Sequence, residues 1–252
     1  MHHNRSTNND QRKTRNERLK TLAIIPARGG SKGVPGKNIK EFNGKPLIQY
    51  AVDCALNSKE INRILVNSDD QEILDSVNTQ QDPKRITKQL RPENLGKDNS
   101  SIVDVVLDAL KRLEDNFDII LLMQTTSPIR SPKDITQIIK YFEIDKNLEA
   151  VISVIPMEDM HPARMYELDQ KSHLSPLIKS DESTHRQNLK PIYFRNGCFY
   201  AIKTEAFLKQ QTFMPKNKKA YVMNPDHLLN IDTQRDVKLA EVLIKAWENK
   251  EL

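Results

Sequence analysis

The sequence predicts an α/β protein built on a doubly wound, mostly parallel sheet, and three observations carry that prediction. Short apolar runs alternate with segments whose apolar residues recur at helical spacing, the pattern of repeated βα units. One run, residues 118–123 (DIILLM), is apolar without alternation, as a parallel strand covered on both faces requires. Polar clusters follow three of the runs directly, where doubly wound sheets bind ligands, beyond the carboxyl ends of their strands.

Each element has a local reason. Residues 22–25 form the first strand. Lys45-Pro46 opens a helix with Pro46 in its first turn, and Leu47, Ile48, Ala51, Cys54 and Ala55 share one face. Residues 63–67 (RILVN) read as a buried strand, after which Asp69 or Asp70 caps a helix running to residue 77. Ser101 and Asp104 form a capping pair ahead of Val106, Ala109, Leu110 and Leu113. Ser131-Pro132-Lys133-Asp134 starts a helix with Ile135, Ile138, Ile139 and Phe142 inward, and residues 149–154 are the next strand. Residues 156–195 break the rhythm with Pro156, Pro162, Pro176 and Pro191 and read as an excursion, an arm with short strands. Strand character returns at residues 197–202. A closing helix over 233–247, with Thr233 and Asp236 as its capping pair, buries Val237, Ala240, Leu243, Ile244 and Trp247.

A chain of 252 residues suits one large domain, or one domain with an insertion. Mean hydropathy is −0.64, polar but compatible with a core at this length. The net charge of +5 fits a polyanionic partner, although part of the excess lies in residues 1–20, an Asn/Arg-rich tail expected to be disordered. That tail lacks the apolar stretch of a secretory signal, and no apolar run approaches membrane-spanning length, so a cytoplasmic protein is expected, with no membrane and no nucleic acid among its partners. The two cysteines, Cys54 and Cys198, sit apart within apolar patterns and read as reduced core residues. His161, His173, His185 and His227 lack metal-site spacing and read as surface or loop residues.

The most specific segment follows the first strand. Residues 26–38 (PARGGSKGVPGKN) hold four glycines and three cations, Arg28, Lys32 and Lys37. Glycines let backbone N–H groups face a ligand, and the cations match a triphosphate. Gly36-Lys37 is followed by Asn38 and preceded by Ser31 five residues back, so the ATPase loop pattern fails, and so does the dinucleotide one. A nucleotide-binding enzyme of another class is predicted.

Six blocks, in order, resemble the CMP-sialic acid synthetases (acylneuraminate cytidylyltransferases). They are IIPARGGSKGVPGKNIKEFNGKPLI, VNSDDQEI, LRPENLGKDNSS, LLMQTTSPIR, FRNGCFY and NIDTQRDVKLAE. The resemblance spans residues 24–241. It implies a nucleotide-diphospho-sugar transferase-like fold in which residues 156–195 are a dimerisation arm of a homodimer. It also implies transfer of CMP from CTP to the anomeric hydroxyl of a nine-carbon α-keto acid sugar with Mg²⁺; the alternatives are the same chemistry on another nonulosonic or octulosonic acid, or a non-catalytic nucleotide-binding relative.

The resemblance assigns roles residue by residue. Ala27, Arg28, Gly29, Gly30, Ser31, Lys32, Lys37 and Asn38 resemble the triphosphate grip, with Arg28 and Lys37 catalytic. Arg91, Ser100 and Ser101, within a run that includes Asp98 and Asn99, resemble the cytosine and ribose segment, although one of the two serines can serve only as a helix cap. Gln124 and Arg195 fall at sugar positions, and Arg164, in the arm, is a candidate acting on the partner's site. Arg130 can hold either a carboxylate or the helix surface. Asp232 is the magnesium ligand and third catalytic residue. Asn230 stands where the family often has aspartate, which removes one negative charge from that site.

Overall fold

The computed structural model describes residues 18–97, 99–157, 160–179 and 184–252. Residues 1–17, Asp98, and residues 158–159 and 180–183 of the arm lie outside the described residues. Arg18 and Lys20, read as the end of the tail, are tied down. Arg18 pairs with Glu60 at 2.8 Å, and the Lys20 amide donates to Asp118 at 2.8 Å.

β1 (Thr21–Ala27) leads through the glycine loop to a two-residue ribbon, β2 (Glu41–Phe42) and β3 (Lys45–Pro46). Then come α1 (Leu47–Leu56), β4 (Ile61–Ser68), α2 (Gln71–Ser76), β5 (Ile86–Leu90), α3 (Ile102–Lys111), β6 (Ile119–Leu122), α4 (Pro132–Ile144) and β7 (Ala150–Pro156). The arm contributes the hairpin β8 (Tyr166–Leu168) and β9 (Leu174–Pro176). β10 (Tyr193–Lys203), α5 (Thr204–Gln210), β11 (Lys218–Val222) and α6 (Gln234–Glu248) complete the chain.

Seven strands form one sheet in the order β11-β7-β10-β6-β1-β4-β5. Every neighbouring pair is parallel except those of β10, which runs antiparallel to both β6 and β7. The expected doubly wound, mostly parallel sheet is therefore present, with one reversed strand. Alternate residues of β1 enter two cores: Ala23 and Ile25 pack with α1, α2 and α4, and Leu22 and Ile24 with α3 and α5. Each fully buried Ile or Leu contributes about 1.5–3 kcal/mol by leaving water. β5 and β11 are absent from the sequence reading. β11 is an edge strand with Lys218 and Lys219 exposed, a charged edge that discourages pairing with other chains.

A third cluster bears on function. Val34, Phe42, Leu47, Tyr50 and Ile129 pack against Leu229, Ile231, Val237, Ala240 and Ile244. It fastens the glycine loop to the segment before α6. The α6 capping box forms as the sequence predicts, Thr233 with Asp236, and α4 has one that the sequence reading did not include, Ser131 with Asp134; at α3 the expected Ser101–Asp104 box does not form, because Ser101 accepts from Val103 N instead. Cys54 and Cys198 are free and buried, and burial pushes both thiols up. Among the described residues, no helix is long and apolar enough to cross a membrane.

His161, read as a surface or loop residue, is a loop residue but not a surface one. It is 9 % exposed, its Nδ1 accepts from the Ala163 amide at 3.0 Å, and its Nε2 lies 3.1 Å from Lys190 O. The ring thereby caps a short turn and joins the two ends of the arm.

Candidate active site

The parallel strands β1, β4, β5 and β6 end on one edge, and the polar clusters follow from that geometry. β1 delivers Arg28 to Asn38, β4 delivers Asp69 and Asp70, β5 delivers Arg91, and β6 delivers Gln124 to Ser127. A cavity of about 310 Å³ opens between them. Arg28, Ser31, Lys37 and Asn38 line one side, Arg91, Lys97 and Ser100 another, and Gln124 and Thr125 the floor, with Leu95, Ile102 and Val105 as an apolar wall. Among the described lining residues four are Arg or Lys and none is Asp or Glu, so the cavity is built for an anion.

Its side chains are held in place. Asn38, 3 % exposed, donates to Arg28 O at 2.9 Å and accepts from Thr125 Oγ1 at 2.6 Å, bridging the glycine loop to the end of β6. Lys37 Nζ donates to Ile231 O at 2.8 Å and to Asp232 Oδ1 at 3.0 Å. Gly33 lies so close to this segment that a Cβ on it would sit 2.0 Å from Asp232 O. Only glycine fits that approach, and backbone cannot swing aside as a side-chain tip can. Gly33→Ala is expected to destabilise the domain by about 1–3 kcal/mol or more, the usual cost of forcing extra atoms into a packed contact. Urea unfolding checks this, and a wild-type midpoint would refute the tight-approach argument.

The residues assigned to the nucleotide divide. Arg28, Ser31, Lys37, Asn38, Arg91 and Ser100 face the cavity, whereas Ala27, Gly29, Gly30, Lys32 and Ser101 are not among its lining residues. Ser101 caps α3, accepting from Val103 N at 3.1 Å, so of the two serines it is the cap. The Gly29 amide points to Asp69 Oδ1 at 3.3 Å. Of the sugar candidates, Gln124 lines the cavity. Arg164 is exposed at the end of a short turn, and Arg195 is exposed on β10 with its guanidinium 5.8 Å from the Tyr200 ring centroid. Asp232 joins the site through Lys37. Asn230 Oδ1 accepts from Ser127 Oγ at 2.6 Å, which ties the loop before α6 to the end of β6.

Arg130 does neither of the things expected of it. It is 1 % exposed and donates to Cys198 O at 2.8 Å and to Gln124 O and Ser127 O. It is a buried brace for the turn that carries Gln124. Sequence reasoning placed Asp69 in a polar cluster at the end of a strand but gave it no role beyond a possible helix cap, and it gave no role to Lys97, whose signal was its place in the loop beyond β5.

A cation-lined cavity beyond the carboxyl ends of a doubly wound sheet, with a glycine loop on the first strand, defines a nucleotide-binding α/β protein. The chain belongs to the cytidylyltransferase family, whose model matches residues 22–251. It is 31% identical over 220 residues to an N-acylneuraminate cytidylyltransferase of Streptococcus agalactiae serotype III, covering 86% of this chain and 52% of that one. This chain thus spans about half the length of that relative. It is 32% identical over 232 residues to the CMP-N,N'-diacetyllegionaminic acid synthase of Legionella pneumophila, covering 90% of this chain and 97% of that one. In structure it is similar to a CMP:2-keto-3-deoxy-manno-octonic acid synthetase complexed with CTP, with a TM-score of 0.63, 18% identity, and coverage of 92% of this chain and 100% of that chain. At that identity the likeness speaks for the fold.

Proposed function

We propose that this chain transfers CMP from CTP to the anomeric hydroxyl of a nine-carbon α-keto acid sugar. The sugar oxygen bonds to the α-phosphorus, the α–β bridging bond breaks, pyrophosphate leaves and the hydroxyl proton is lost. The observation that carries the reading is the convergence of Arg28, Lys37 and Arg91 with Gln124 on one cavity. The cations neutralise charge on the triphosphate and the departing pyrophosphate, where phosphoryl transfer depends mainly on positioning and charge. The Gln124 amide both donates to and accepts from hydroxyls, which suits the sugar. The names of the streptococcal and Legionella relatives favour a nine-carbon acid.

Magnesium fits the same site through a single carboxylate. Asp232 is 66% exposed and turns one oxygen to Lys37, while the Asn230 carbonyl is already engaged by Ser127. Magnesium draws most of its ligands from phosphates and water, so one protein carboxylate suffices. When bound it supplies further charge neutralisation on the phosphates. The chain acts as a homodimer in the cytoplasm in this reading. An apolar groove of about 510 Å³ beside the arm, lined by Met157, Met165, Ile192, Phe194, Leu239 and Leu243, supports a second copy as its cover, and the partner's site then receives Arg164.

One experiment addresses these points together. Purified protein is incubated with CTP, Mg²⁺ and either N-acylneuraminate, N,N'-diacetyllegionaminic acid or an eight-carbon keto acid, and pyrophosphate is measured. Release is expected with a nine-carbon acid, with CTP over other nucleoside triphosphates, and is lost with EDTA. No release from any acid would sink the activity, release undiminished by EDTA would sink the magnesium assignment, and a monomer by light scattering would sink the role of Arg164.

A further inference from the structure

Two adjacent aspartates follow β4, and the structure separates their work. Asp70 caps α2, its side chain accepting from the Glu72 amide at 2.9 Å. Asp69 has no part in that cap. Its Oδ1 accepts from Arg91 Nη2 at 2.8 Å and from the Gly29 amide at 3.3 Å. One carboxylate oxygen therefore joins the glycine loop after β1 to the loop after β5. Asp69 also packs against the second of these loops further along, since a Cβ on Gly96 would lie 2.6 Å from Asp69 Oδ2 and 2.7 Å from its Cβ and Cγ.

The state of Arg91 shows what this junction serves. Its side chain is 5% exposed and lines the cavity. Asp69 takes one end of the guanidinium, and Nε is buried with no partner among the described residues. A buried guanidinium held at one end keeps its planar fork fixed for an anionic or hydroxyl-bearing ligand. Without the carboxylate it becomes an uncompensated buried charge and swings or draws in water.

We infer that Asp69 is a positioning residue for the nucleotide: it fixes Arg91 and the glycine loop in one register, so that the two walls of the cavity meet a single ligand together. Asp69 itself stands behind both walls. The inference rests on the reading of the cavity as the CTP site.

The test measures CTP binding by calorimetry and steady-state kinetics for wild type, Asp69→Ala, Asp69→Asn, Arg91→Ala and the double variant Asp69→Ala/Arg91→Ala. Losing a charge-assisted contact of this kind costs roughly 10- to 100-fold, so Asp69→Ala is expected to raise the Kd and KM for CTP by about that factor while leaving the KM for the sugar unchanged. Asp69→Asn keeps an acceptor oxygen in the same place and is expected to recover part of the loss. The double variant is expected to bind CTP no more weakly than Arg91→Ala alone, because both substitutions remove one coupled unit. Independent, multiplying losses would overturn the inference, as would equal rises in both KM values or a Kd for Asp69→Ala equal to wild type. Absence of CTP binding by the wild type would instead overturn the functional reading, so the two failures are distinct. Urea unfolding of each variant identifies any that does not fold, and Asp69→Asn then carries the comparison.

Discussion

Lys37→Ala is expected to lower kcat/KM by about 100- to 1,000-fold, the usual cost of removing one preorganised donor from a site of charge build-up. The lysine is only 11% exposed on its side chain and is aimed by two contacts, Ile231 O and Asp232 Oδ1. Its ammonium therefore stays beside the cavity before any ligand arrives, and little reorganisation is needed during the reaction. Stability should fall only modestly, by about 1–3 kcal/mol for the Ile231 carbonyl left short of a donor, because the Asp232 partner is 66% exposed and such pairs contribute about 1 kcal/mol or less. Lys37→Arg keeps the charge but brings a planar fork into a position shaped for a point charge, so it should restore little activity. Kinetics and thermal melts on the same preparations check both halves. An alanine variant within a few-fold of wild type would remove Lys37 from the chemistry. A large fall in melting temperature would turn it into a structural residue.

Arg130→Ala should show the opposite profile, a severe loss of stability. The guanidinium is buried, lies 5.4 Å from the Phe199 ring centroid, and serves carbonyls from the end of β6, its following turn and β10. Truncation leaves those three acceptors short of a donor at about 1–3 kcal/mol each, so roughly 3–9 kcal/mol in all is expected. Lysine cannot reach three carbonyls in a plane and should recover only part of this. The urea midpoint of folded protein reads the effect directly. A shift corresponding to less than about 1 kcal/mol, the size of an ordinary surface change, would show that the brace is dispensable.

Comparison of these residues shows what a one-dimensional reading can reach. The edge of the sheet was legible because each buried strand runs straight into its polar cluster, as at Ile25 to Arg28 and Leu122 to Gln124. The Thr233–Asp236 capping box was legible because both partners are local. The reversal of β10 left no mark, since an apolar run reads the same in either direction. β11 was hidden because an edge strand needs no apolar alternation, and Lys218-Lys219 conceals it. Neighbouring residues of one type could not be told apart: Ser100 from Ser101, Asp69 from Asp70. Their roles depend on where a side chain points after the turn, and the backbone of distant loops decides that. Arg130 went unrecognised for the same reason, because its partners at Gln124, Ser127 and Cys198 meet only in the folded sheet.

The contact of Gly33 and Lys37 with the segment at Ile231 and Asp232 joins the first loop of the domain to one almost two hundred residues later, with sequence separations of 194 and 195 for the two lysine bonds. During synthesis the ribosome makes the glycine loop early, yet the two contacts that aim Lys37 wait until Ile231 and Asp232, just before α6, have been made. Closure over so long a stretch is a slow, late event in folding. Under the proposed function, nucleotide binding thus becomes a property of the finished domain alone. A ligand that binds only this state stabilises it by mass action and leaves incomplete chains unaided. Nucleotide in the cell would then act as a selective stabiliser of chains that have finished folding.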